Sequence, residues 1–227
     1  MAGSILRLLT GLLLVSASVA QIAAAGDSVT RTDQVTVTLE AGQAAATPGE
    51  TLWLGLRFDL IPHWHVYWRN PGDSGEAPRV DWTLPSGWQA GEIQWPVPER
   101  IPVGPLINYG YEDSVTFLVP VEVPATSSAN TDGVRIDADL SWLVCKEECI
   151  PQDGNVSLRL PIGALDPGEA GAFEAVRATW PIALPGQAHY EASPDEIALT
   201  VSELPLSFAQ ADSIWFASND WGPVSPS

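Results

Sequence analysis

Hydrophobic and polar residues alternate over most of the first two-thirds of the chain, the two-residue period of strands with one face buried. Val35, Val37 and Leu39 alternate with threonines, and Leu52, Leu54, Leu56, Phe58 and Leu60 alternate with Trp53, Gly55, Arg57 and Asp59. These predict two strands joined by a turn-rich segment from Ala41 to Glu50. His63 to Trp68 is predicted to continue as an aromatic strand with His63 and His65 on one face, followed by a long polar loop from Arg69 to Pro78. Val80, Trp82 and Leu84 predict a short strand and Ile93 and Trp95 another, both held to sheet edges by nearby prolines. Val103 to Asp113 reads as a loop with aromatic content, and Val115, Phe117, Val119 and Val121 as the next strand.

The clearest alternation comes late. Val134, Ile136, Ala138, Leu140, Trp142 and Val144 interleave with Arg135, Asp137, Asp139 and Ser141, and Val156, Leu158 and Leu160 interleave with Ser157 and Arg159. Between these two half-buried strands lie the only cysteines, Cys145 and Cys149. Short strands with frequent turns predict an all-β, immunoglobulin-like β-sandwich over residues 27–163. After Pro161 the texture changes. Pro167 to Thr179 predicts a short helix with Ala172, Phe173 and Val176 on one face, within a linker over 164–180. Ile197, Leu199 and Val201, then Ile214 and Phe216, predict a second β region over 181–227, too short to close its own sheet and so expected to be truncated.

Composition agrees, with 10 Trp and 20 Pro in 227 residues. Residues 1–25 have the form of a secretory signal peptide: Arg7, an apolar stretch from Leu8 to Ala20, and Ala-x-Ala sites ending at Ala20 and Ala25. Export to a bacterial periplasm is therefore expected, an oxidising compartment in which two cysteines pair. The formal charge is −18, from 10 Lys and Arg against 28 Asp and Glu. That excess argues against nucleic acid as a partner and for a protein partner with a basic or apolar patch.

Four residues of extended strand span roughly 13 Å, whereas a disulfide needs Cα atoms within about 7 Å, so the residues between the cysteines must turn. Closing so short a loop contributes only about 2 kcal/mol in the chain-entropy account. A weak staple on an accessible turn fits thiol exchange better than a static structural role, though the C-x3-C spacing alone leaves both open. A rival from another class is a copper or zinc site in which both cysteines join His63 and His65. No Ser-His-acid grouping and no Gly-rich phosphate loop stands out, and no cofactor is expected.

The stretches His65 to Gly75, Gly91 to Arg100, Asn108 to Asp113 and Ser141 to Pro151 resemble, in this order, the N-terminal periplasmic domain of DsbD-type thiol:disulfide interchange proteins, in particular the ScsB-like branch linked to copper tolerance. The resemblance implies a component of a protein-disulfide reductase. It would take electrons from a membrane-embedded thiol domain and pass them to thioredoxin-like or isomerase-like periplasmic proteins. It also implies that Cys149 attacks the partner, that Cys145 resolves the mixed disulfide, and that Tyr109 and Gly110 belong to a cap over the pair. Asn108 stands where a further cap aromatic is expected.

Overall fold

The structure, a computed structural model, describes residues 27–164, 173–183, 187–194 and 197–203. The expected signal peptide, the start of the expected helix, and Ile214 and Phe216 lie outside the described residues. The strands are β1 (Val29–Arg31), β2 (Val35–Ala41), β3 (Thr51–Leu60), β4 (His65–Gly72), β5 (Arg79–Thr83), β6 (Gln89–Ala90), β7 (Glu99–Val103), β8 (Leu106–Glu112), β9 (Ser114–Glu122), β10 (Asn130–Cys145) and β11 (Cys149–Ile162). They are followed by α1 (Glu174–Arg177), β12 (Gln187–Ala192) and β13 (Ile197–Ser202).

Two sheets form the immunoglobulin-like β-sandwich. One runs β1-β2-β3-β9-β6 and the other β11-β10-β4-β8-β7, with β5 also paired to β10. The alternation sets which side chains point inward. Val37, Leu54, Leu56, Phe58, Phe117 and Val121 from the first sheet meet Val66, Ile136, Ala138, Trp142 and Val144 from the second in one buried cluster. Phe58 packs edge-on against both Phe117 and Trp142, with ring centroids 5.5 Å apart in each case. Such contacts add to the area term that dominates the core.

Several expectations need correction. His63 is not on a strand: its φ of 71° places it in the turn before β4, and it is exposed. The expected loop from Val103 to Asp113 is mostly the hairpin β7-β8, in register from Glu99↔Gly110 to Val103↔Leu106. Its alternation is hidden because Asn108 and Gly110 are buried beside Tyr111, so neither face reads as polar. Strand β4 runs on to Gly72, into the expected polar loop, and Asn70 and Pro71 are buried. Ile93 and Trp95 flank a single bridge, Gln94↔Leu118, rather than a strand.

The expected linker helix is described only as α1, and Val176 is half-buried while Phe173 is 5% exposed. Phe173 rests on the outer face of the first sheet, where a Cβ on Gly42 or Gly55 would come within 2.9 Å and 2.8 Å of its ring. Strand β13 was anticipated, and it pairs with the unanticipated β12 from Gln187↔Ser202 to Ala192↔Ile197.

Candidate disulfide-exchange site

The site begins with the longest hairpin. β10 and β11 stay in register from Val134↔Leu160 to Cys145↔Cys149, so the cysteines are directly opposed and the turn is Lys146-Glu147-Glu148. The Lys146 N–H donates to the Glu148 carbonyl at 3.1 Å. Opposed positions bring Cβ atoms together, and here the Cα atoms are 4.2 Å apart and the sulfurs are bonded. Because Val144 points into the core, alternation turns Cys145 to the outer face of the second sheet. Cys145 is nevertheless only 2% exposed, whereas Cys149 is exposed.

Strand β4 explains that asymmetry. His65 is the register partner of Cys145, and Val66 and Trp68 face the core, so His65 and Tyr67 share the outer face with the cysteines. Their rings meet edge-on at 5.1 Å. The Tyr67 hydroxyl lies 3.4 Å from Cys149 Sγ. Burial pushes the Tyr67 phenol up from its ordinary pKa, with a Ser74 hydrogen bond opposing, so at neutral pH it keeps its proton and can donate to the sulfur. Burial holds the His65 imidazole below its ordinary pKa, and its Nε2 has no hydrogen-bond partner.

A polar loop closes over these rings. Ser74 donates through both N–H and Oγ to Asn108 Oδ1, at 3.1 and 3.0 Å. The Ile107 N–H donates to Asp73 Oδ2 at 2.8 Å, and the Asp73 N–H to the Ile107 carbonyl at 3.0 Å. This pins Gly75 onto Tyr67: its φ is 97°, and a Cβ there would lie 2.2 Å from the ring. Only glycine combines that backbone with so close an approach.

Tyr109 sits elsewhere, whereas Gly110 borders the site as backbone beside Tyr67. Tyr109 is half-buried and packs edge-on to Trp68 at 6.5 Å, on the core side of the sheet and away from the face that bears the cysteines. Gly110 is the register partner of Tyr67, and a Cβ there would lie 2.2 Å from the Val66 carbonyl oxygen. The proposed metal ligands do not converge either, because His63 is in a turn while His65 is buried in β4. Among the described residues no group of three or more His, Cys, Asp or Glu side chains is placed to hold a metal ion. The residues that sequence reasoning passed over are Tyr67, Ser74 and Gly75, and Asn108, noted there only as standing where a cap aromatic is expected, proves to be the acceptor that holds the loop. The signal for Tyr67 was present, since it alternates with Val66 and Trp68 and shares the parity of His65.

The family profile for the thiol:disulfide interchange protein DsbD, N-terminal, matches residues 32–161, more than half of the chain. The chain belongs to the DsbD N-terminal domain family. It is accordingly a thiol–disulfide interchange domain, and the cysteine hairpin falls within the matched region. Among solved structures, the N-terminal periplasmic domain of ScsB from Proteus mirabilis superposes with a TM-score of 0.60 at 22% identity, covering 78% of this chain and 68% of that one. That likeness supports the DsbD-type sandwich as a fold. The yeast GGA1 GAE domain aligns with a TM-score of 0.31 at 12% identity, over 57% of this chain and 96% of that one, too loosely to bear on the fold. No curated protein matches the chain.

Proposed function

We propose that this DsbD-type domain works in the periplasm as an electron relay. It accepts electrons from a membrane-embedded thiol domain and reduces thioredoxin-like or isomerase-like partners. The observation that carries the reading is the unequal access to the two sulfurs, with Cys149 exposed and Cys145 2% exposed. That difference favours Cys149 as the sulfur a partner attacks.

To load the domain, a donor thiolate attacks Cys149 Sγ. The Cys145–Cys149 bond breaks, and its electron pair leaves on Cys145 Sγ. The donor's second thiolate then attacks its own sulfur in the mixed disulfide and releases Cys149 as a thiol, so two electrons and two protons have been transferred. To unload, the Cys149 thiolate attacks the partner disulfide, and Cys145 displaces the reduced partner while re-forming the bridge. Tyr67 at 3.4 Å from Cys149 Sγ is placed to donate to the thiolate in each direction.

Trapping tests the roles. With Cys145→Ala in the exported chain, an adduct with an oxidised isomerase-like partner should accumulate, because no thiol remains to resolve it; Cys149→Ala should give little. Adducts through Cys145 alone would reverse the roles, and adducts from neither variant would remove disulfide exchange with such partners.

A further inference from the structure

His65 is the one side chain at this site whose placement the exchange steps above leave without a use. It is 2% exposed and its Nε2 has no hydrogen-bond partner, an arrangement that is unfavourable in a folded protein. A buried polar atom kept at that cost needs a reason. Its surroundings offer one, because the residue opposite it on β10 is Cys145, and paired residues in an antiparallel ladder have Cβ atoms about 5 Å apart on the same face. In the oxidised protein Cys145 Sγ is held in the bridge and has no proton to share. Reduction frees it as a thiol on the face it shares with the imidazole, and a freed side chain can turn toward its register neighbour.

We propose that His65 is the proton acceptor for Cys145 in the reduced domain, forming a thiolate–imidazolium pair that makes the buried sulfur competent to resolve the mixed disulfide. The proposal rests on the exchange reading and extends it. The proton on Cys145 Sγ passes to the imidazole. The thiolate then attacks Cys149 Sγ, the Cys145–Cys149 bond forms, and the bond from Cys149 to the partner breaks. The partner leaves with that electron pair and takes up a proton, which the imidazolium can return.

The need for a base is specific to Cys145. An ordinary thiol with a pKa near 8.5 is only a few per cent thiolate at pH 7, and burial in apolar surroundings lowers that fraction. Cys149 has solvent and the Tyr67 hydroxyl to support its charge, whereas Cys145 is enclosed. Burial disfavours the charged imidazole, so it is neutral when reduction occurs, and the pair forms because thiolate and imidazolium stabilise each other against that burial cost. Several titratable groups border the pair. On β8 the register partner of His65 is Glu112, an exposed residue whose negative charge favours an imidazolium once formed. Tyr67 lies on the same strand, and the covering loop brings Asp73, whose carboxylate is taken up by the Ile107 N–H. Lys146, Glu147 and Glu148 in the turn are exposed, where solvent screens them.

The test isolates Cys145 as the lone thiol. The exported chain carrying Cys149→Ala is titrated by the ultraviolet absorbance of its thiolate, alone and combined with His65→Phe or His65→Gln. With His65 present, Cys145 is expected to hold about tenfold more thiolate near pH 7 than in either double variant, a gain that stays below the roughly thirtyfold ceiling set by an ordinary thiol. Glutamine keeps polar atoms but does not titrate, so it decides the matter if phenylalanine impairs folding. Superimposable titration curves in all three proteins would overturn the proposal. Because no partner is involved, this result is separate from the trapping experiment: a depressed Cys145 titration with no adducts would refute exchange, not the coupling.

Discussion

Burial alone fixes the direction in which pH acts on His65. The imidazole is held below its ordinary pKa of about 6.5 in the folded chain, so as pH falls below that value the unfolded chain takes up a proton that the folded chain refuses. Stability is full above about pH 6.5 and declines as pH drops toward the folded value. In the oxidised protein, where Cys145 cannot share a proton, His65→Phe should flatten this decline between about pH 7 and about pH 5.5. Denaturant midpoints measured across that range check it, and parallel profiles for the two proteins would show that His65 is not the group responsible. Tyr67 follows the opposite logic. Burial keeps its phenol protonated, so its effect on Cys149 should vary little with pH over the same range.

Among the elements, those that read directly from the sequence have one buried and one solvated face, as β10 and β11 do along the hairpin that carries the cysteines. Those that did not read are buried on both faces or broken by function. β8 conceals its period because Asn108, 1% exposed, points to the outer face to hold the loop that covers Tyr67, where an aromatic cap residue was expected. The covering role thus falls to the Ser74 and Gly75 loop, which from sequence was only polar and long. If that loop guards the disulfide, Asn108→Ala should leave the Ser74 N–H and Oγ without their acceptor at a cost of about 1–3 kcal/mol. It should also raise the open population about tenfold for each 1.4 kcal/mol lost locally. Reduction of the bridge by glutathione should then quicken by about fivefold to about a hundredfold. A variant that is less stable yet reduced at the wild-type rate would show that the loop supports the sheet without shielding the sulfurs.

For the whole molecule, the exchange site occupies the outer face of one sheet, and the segment after the sandwich is docked on the outer face of the other. From sequence, Gly55 was one more polar-face position between Trp53 and Arg57. In the structure its missing side chain is the seat of Phe173, since a Cβ would lie 2.8 Å from the ring, and glycine inside a strand often marks such an approach. Around this seat Arg177 stacks over Trp53 at 4.9 Å, Trp180 packs against Trp53 at 5.8 Å, and the Val97 N–H donates to the Thr179 carbonyl at 2.9 Å. The expected linker is therefore fastened to the sandwich over Phe173 to Trp180. Phe173→Ala should cost about 3 kcal/mol, at the low end for a buried phenylalanine because the site lies on a surface that can partly collapse. Cleavage by a protease between residues 164 and 180 should become faster. The rate at which glutathione reduces the bridge should stay at the wild-type value, because the two sites lie on opposite sides of the core. Unchanged stability and unchanged proteolysis would mean that Phe173 does not hold the segment down, and faster reduction would show that the two faces communicate through the core.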